Sequence, residues 1–284
     1  PVLKSNDSND IQFKDVTEES GLGEFKHENG AFGAKWFPET MGAGGGFIDY
    51  DNDGLEDILL VGGNNWPDKS DSIISALVLY KNDGDGKFSN VTTDAGLGGI
   101  NTYGFGISVA DYDNDDDQDF FFTTLNENMF FRNNSGYFTE VAKEIGISRE
   151  HKFSTSAIFF DADKDGFLDL YVGNYVDWSP ESDLWCAFQG KKGYCIPEVY
   201  NGVPSRFYQN NGDGTFSDRS IETGYLPTPG KTLGVAELDH NKDGWPDLVV
   251  ANDSERDLLY ENDRDGTFTE KGISKGMAFG PMGR

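Results

Sequence analysis

Four aspartate-rich segments of one design hold the residues best suited to chemistry: DYDNDGLED from Asp49, DYDNDDDQD from Asp111, DADKDGFLD from Asp161 and DHNKDGWPD from Asp239. Each places oxygen-bearing side chains at positions 1, 3, 5 and 9, as a short loop does when it wraps carboxylates and a carbonyl around a hard cation. The cation this implies is Ca2+, up to four ions. Position 6 is Gly54, Gly166 and Gly244 in three loops, where a tight turn favours left-handed backbone; the second loop has Asp116, and Asp tolerates that region better than most residues. An EF-hand opens the same way but requires a bidentate Glu at position 12, and here that position holds Leu60, Phe122, Val172 and Val250. These apolar residues sit in runs such as DILLVGG and DFFFTT, and the segments leading into the loops are equally apolar. Each loop therefore joins two strands, which excludes the helix-flanked EF-hand.

Little else in the chain reads as catalytic. His27, His151 and His240 are far apart, and no G-x-S-x-G elbow or H-E-x-x-H helix is present. The glycine-rich MGAGGG from Met41 feeds a strand and lacks the lysine of a phosphate loop, so it is read as a strand packed close to an axis. The carboxylates could supply a glycosidase pair, which keeps a polysaccharide lyase or hydrolase as an alternative. The leading reading is not an enzyme.

The elements that must position the loops also repeat. Out of phase with the aspartates run LYKNDGDGKFSNVTTDAGL from Leu79, MFFRNNSGYFTEVAKEIGI from Met129, RFYQNNGDGTFSDRSIETGY from Arg206 and LLYENDRDGTFTEKGISKGM from Leu258, each a strand, tight turn, strand and short loop. Two loop strands plus one hairpin make a four-stranded unit, and such units in series predict an all-β β-propeller, with a solenoid as runner-up. The 36 glycines, 22 phenylalanines and 12 tyrosines suit short strands and tight turns, and a single domain over residues 1–284 is expected. IQFKDVTEESGL from Ile11 matches the second half of a unit and is expected to supply an outer strand to the last blade; GMAFGPMGR at the end resembles the start of another unit. A larger propeller, or four blades closed unusually, would fit that pattern.

The combination of FxDVTxxxGL, D-x-D-x-D-G-x-x-D and LYxNxGDGxF resembles the FG-GAP/VCBS repeats of integrin α-type calcium propellers and, more narrowly, bacterial relatives of cartilage acidic protein. The resemblance implies one Ca2+ per loop. The first would use Asp49, Asp51, Asp53 and Asp57 with the carbonyl of Leu55, and the second Asp111, Asp113, Asp115 and Asp119 with Asp117 at the carbonyl position. The third would use Asp161, Asp163, Asp165 and Asp169 with the carbonyl of Phe167. The fourth would use Asp239, Asn241, Asp243 and Asp247 with the carbonyl of Trp245; it loses a charge and is expected to be the weakest.

A formal net charge of −27 argues against nucleic acid and anionic membranes as partners, and no run is long and apolar enough for a membrane helix. Cys186 and Cys195 lie in the insertion 174–204; they either close a disulfide, as suits an extracellular, cell-surface or periplasmic protein, or remain as reduced buried thiols. Sequons at Asn6, Asn90, Asn133 and Asn252 carry little weight in an Asn-rich chain. Trp36, Trp66, Trp178 and Trp185 lie outside the strands and either cover apolar surface or contact a ligand. The expected role is a secreted adhesion, ligand-binding or scaffold module for a protein or carbohydrate at the loop face, with self-assembly through strand edges into a surface filament as an alternative.

Overall fold

The computed structural model describes residues 13–62, 66, 75–147, 153–225 and 229–279. A helical turn, α1 (Thr17–Ser20), precedes four antiparallel blades. Blade one contains β1 (Gly45–Ile48), β2 (Asp57–Val61), β3 (Leu77–Gly84) and β4 (Lys87–Asn90). Blade two contains β5 (Gly104–Ala110), β6 (Asp119–Thr124), β7 (Met129–Asn134) and β8 (Tyr137–Glu140). Blade three is formed by β9 (Ser154–Phe160) and β10 (Asp169–Asn174), then, after the separate hairpin β11 (Cys186–Phe188) and β12 (Lys191–Gly193), by β13 (Arg206–Asn210) and β14 (Phe216–Asp218). Blade four contains β15 (Thr232–Leu238), β16 (Asp247–Asn252), β17 (Leu258–Asn262) and β18 (Phe268–Glu270), followed by the turn α2 (Gly272–Lys275). The unit of two loop strands plus a hairpin is thus formed four times, and the fold is an all-β array of propeller-type blades.

Alternation within the second strand of each blade explains the packing. In β6, Phe120 and Phe122 join the core shared with blade one, while Phe121 points the other way into the core shared with blade three. In β10, Leu170 and Val172 face blade two and Tyr171 faces blade four. Because successive side chains leave a strand on opposite faces, a strand flanked on both sides must be apolar throughout, and β6 and β10 are buried at every position. The outer blades differ: Ile58 and Leu60 of β2 and Val249 of β16 are only half-buried. The first strands pack in series, β1 on β5, β5 on β9 and β9 on β15. Close approach there needs the glycines read from MGAGGG, since the Gly44 amide donates to the Phe105 carbonyl at 2.6 Å.

A helical turn after each of the first three blades docks on the next. Gly96, Gly146 and Gly224 adopt φ of +82°, +86° and +87°, and an added Cβ would lie 2.7, 2.4 and 2.6 Å from the carbonyl oxygens of Phe138, Phe216 and Phe268. The N-terminal segment does the same on blade one, where Gly21 approaches the Phe88 carbonyl. This corrects the expectation of an outer strand for the last blade: Phe13–Val16 form no strand, Phe13 is exposed, and the repeat tail is used for its docking turn. Ile11 and Gln12 lie outside the described residues. At the other end the Asp257 amide donates to the Ala278 carbonyl, so that segment folds back on its own blade.

Candidate metal centre

All four aspartate loops fold on the same local hydrogen bonds. The position-1 carboxylate accepts from the amides of positions 5 and 6, as Asp49 does from Asp53 and Gly54 at 3.0 and 2.9 Å. Asp111, Asp161 and Asp239 repeat this pair at 2.9–3.1 Å. The position-5 carboxylate then accepts from the amide of position 7, namely Leu55, Asp117, Phe167 or Trp245. Left-handed backbone occurs at position 6 as expected, including Asp116 at φ +72°. It also occurs at position 4, in Asn52, Asn114, Lys164 and Lys242, which sequence reasoning missed although Asn is a usual signal for it.

This backbone gathers the carboxylates of positions 1, 3 and 5. Asp49, Asp51 and Asp53 offer ligand oxygens within 4.8 Å of one another, as do Asp111, Asp113 and Asp115, and Asp161, Asp163 and Asp165. The fourth loop keeps the fold but has Asn241 at position 3, whose Nδ2 donates to Asp243 at 2.9 Å. Two observations fit a cation. Buried Oδ1 atoms of Asp51 and Asp113 lack a hydrogen-bond partner among the described residues, and an all-oxygen donor set suits a hard divalent ion. Burial and the neighbouring Asp115 and Asp111 charges hold the Asp113 carboxyl above the usual range.

Position 9 is built differently. Asp57, Asp119, Asp169 and Asp247 are buried, and each accepts from two amides, one at loop position 2 and one on the blade's third strand. Burial pushes Asp119 up to about 8 and Asp169 up to about 7 despite those donors. A divalent ion on the adjoining carboxylates would favour their ionised forms. The clustered groups comprise positions 1, 3 and 5, with position 9 fastening the loop to the sheet.

The third-strand residue that meets position 9 is the Asn of the hairpin motif, and its side chain ties blade to blade. Asn133 Nδ2 donates to the Tyr50 carbonyl at 2.8 Å, Asn210 Nδ2 to Tyr112 at 2.8 Å and Asn262 Nδ2 to Ala162 at 2.7 Å, in each case position 2 of the preceding loop. Among the described residues, Asn82 Nδ2 donates only to the Glu56 carbonyl of its own loop. Asn133 is fully buried, so its sequon is structural. Adjacent loops also touch directly: Asn52 Nδ2 donates to Asp117 Oδ1 at 2.8 Å, and Asn114 Nδ2 to the Gly166 carbonyl at 3.2 Å.

Loops and hairpin turns share one end of the blades, so the connections between second and third strands lie at the other. There Phe37, Trp66, Tyr103, Phe153, Tyr175, Trp178 and Tyr200 form a buried aromatic cap against which Trp36 packs, while Trp185 is 72% exposed. Cys186 and Cys195 are bonded and close the β11–β12 hairpin. Of the histidines, His240 Nε2 lies 2.7 Å from Glu261 Oε2 and His27 Nδ1 3.4 Å from the Val61 carbonyl; His151 is outside the described residues. Insertion 62–76 is described only in part.

The repeat geometry agrees with comparison to known proteins. FG-GAP-like repeats match residues 49–122, 111–172, 183–250 and 239–283. The chain belongs to the FG-GAP-like repeat family. This FG-GAP-like chain is also 23% identical over 271 residues to cartilage acidic protein 1 of Xenopus tropicalis, covering 76% of this chain and 40% of that protein. It therefore spans well under half of that relative. A solved Agrocybe aegerita lectin, described in its specific recognition of non-reducing terminal N-acetylglucosamine, overlaps 78% of the chain and 49% of its own at 19% identity and a TM-score of 0.41. Among the described residues of the FG-GAP-like chain, no helix is long and apolar enough to cross a membrane.

Proposed function

We propose that this chain is an extracellular, non-enzymatic binding module, acting as one domain, whose FG-GAP-like loops hold up to four structural Ca2+ ions. Positions 1, 3 and 5 of each loop, with the carbonyls of Leu55, Asp117, Phe167 and Trp245, would hold the ions, and position 9 would complete the set through the remaining lone pairs of the carboxylate that fastens the loop to the sheet. The ions supply positive charge to otherwise self-repelling carboxylates. The disulfide and the similarity to cartilage acidic protein 1 support an extracellular setting.

One observation supports the binding role: the disulfide-closed hairpin holds Trp185 and Phe188 at 72% exposure, beside exposed Leu184, Ile196 and Val199. Aromatic residues on a rigid hairpin act as anchors, and exposed Lys191 beside them stands out in a chain of net charge −27. The partner that fits is a protein surface, apolar at its centre and acidic at its rim. Surface plasmon resonance against purified extracellular-matrix proteins and a glycan panel tests this. A bound protein should be lost, by roughly tenfold or more in Kd, in the W185A/F188A variant. Binding indifferent to that variant, or release of sugar fragments from the glycans, would overturn the reading.

The flank of blade four supports a second reading, association between copies. Gly276, the fifth docking-turn glycine at φ +72°, meets nothing within 4 Å among the described residues, beside exposed Ile273, Met277 and Phe279. Sedimentation velocity over a wide concentration range should show assembly if this flank pairs; an unchanged monomer would discard it.

A further inference from the structure

The four loops differ in the cation chemistry already built into them. In the first, Lys81 on β3 extends its ammonium to Asp51 and to Asp53 Oδ2, the latter at 2.7 Å, so a side chain lies among the metal-ligating carboxylates. In the fourth, Arg264 in the β17–β18 turn donates to Asp243 Oδ2 through Nε at 3.2 Å and Nη2 at 2.6 Å. Arg264 does so from left-handed backbone, φ +66°, at a turn position where blades one and three have Gly84 and Gly212. A non-glycine residue is disfavoured there, so the arginine occupies the position at a local cost.

Among the described residues, no cationic side chain is hydrogen-bonded to the clustered carboxylates of the inner loops. The equivalent of Lys81 in blade two is Arg132, whose Nη2 donates to Glu144 Oε1 at 3.1 Å while its charge acts on Asp113 from nearby. In blade three it is Gln209, a neutral donor to Asp163 Oδ2 at 2.9 Å. At the clustered positions, loops two and three thus present three carboxylates with no cationic side chain bonded to them among the described residues, loop one presents three against one bonded ammonium, and loop four presents two against one bonded guanidinium.

We propose that Lys81 and Arg264 are tethered counter-ions that compete with Ca2+ for loops one and four. Calcium must displace the ammonium or guanidinium to reach the position-3 and position-5 oxygens, and breaking those charge-assisted bonds subtracts from its affinity. Loops two and three therefore fill first, then loop one, then loop four. The same side chains hold the outer loops folded when calcium is scarce. This inference rests on the loops being calcium sites.

The test is calcium titration calorimetry on the whole chain and on K81M, R264G and K14M. Arg264→Gly restores the residue found in blades one and three, and Lys14→Met removes an equal charge that pairs with Glu19 rather than with a loop carboxylate. Wild-type protein should show two tight and two weaker sites. K81M and R264G should each tighten one weak site by roughly tenfold, whereas K14M should leave all sites within about twofold. Terbium luminescence excited through tryptophan gives a second readout, because Trp245 belongs to loop four; its ring also meets Lys164 of loop three, so two phases are expected and R264G should move the later one to lower terbium concentration. Melting in excess chelator gives a third, and K81M should melt below wild type there. Unchanged site affinities in both variants, or the same tightening in K14M, would overturn the counter-ion role. Failure of the wild-type protein to bind calcium would instead overturn the calcium reading together with this inference.

Discussion

The inner blades, two and three, and the outer blades, one and four, share one sequence pattern yet rest on different amounts of packing. At the third residue of the second strand, Leu59, Phe121 and Tyr171 each enter the core of the following blade, while the equivalent Val249 has no following blade among the described residues and is half-buried. The Asn staple behaves likewise: Asn133, Asn210 and Asn262 reach the preceding loop, and Asn82, among the described residues, reaches only its own. A repeat residue thus acquires its structural value from its neighbour, as expected of a quasi-one-dimensional array.

Calcium removal should strain that comparison most. A site filled at 100 times its Kd contributes about 2.7 kcal/mol, so stripping the two inner loops should cost about 5 kcal/mol and lower the melting temperature by many degrees. Calorimetry with and without chelator measures it, and an unchanged melt would remove calcium from the account of stability. Next in size, Phe121→Ala should cost about 3–5 kcal/mol and Val249→Ala under about 1 kcal/mol in urea unfolding. Equal losses would mean that the flank of blade four is covered in solution.

The docking turns give a smaller contrast. Gly146→Ala adds a Cβ against the Phe216 carbonyl as well as left-handed strain, and should cost about 2–4 kcal/mol, whereas Gly276→Ala meets only the strain, about 1–2 kcal/mol. Thermal melts of the pair decide whether the fifth turn is in use. The staple should give the smallest contrast between inner and outer blades: Asn210→Ala leaves buried carbonyls of Tyr112 and Leu168 short of a donor, at about 1–3 kcal/mol, and Asn82→Ala should cost less. The reverse order would show that the staple acts mainly within its own blade.

Much of this architecture was legible in the chain because its signals are local. Positions 1 and 5 of each loop bond to amides two to five residues onward, so the loop can be read from nine consecutive letters. Continuous apolar runs such as DFFFTT announced strands, and packing showed that this one is covered on both faces. The N-terminal FKDVTEESGL was misread because it shares a consensus with the outer strand and docking turn together, and only packing decides which half is used.

By itself, then, the sequence determined the strand–loop–strand units, their order and the oxygen-rich loops, since all of these follow from hydrogen bonds and side-chain alternation within short stretches. Tertiary structure alone decided that Asn133 fastens Tyr50 across a blade boundary, that Trp185 faces outward while Trp66 and Trp178 are buried, and that Lys81 lies among the carboxylates of loop one. Those contacts join residues far apart in the chain. Their existence depends on how much of each blade its neighbour covers, a quantity with no local signature in the letters.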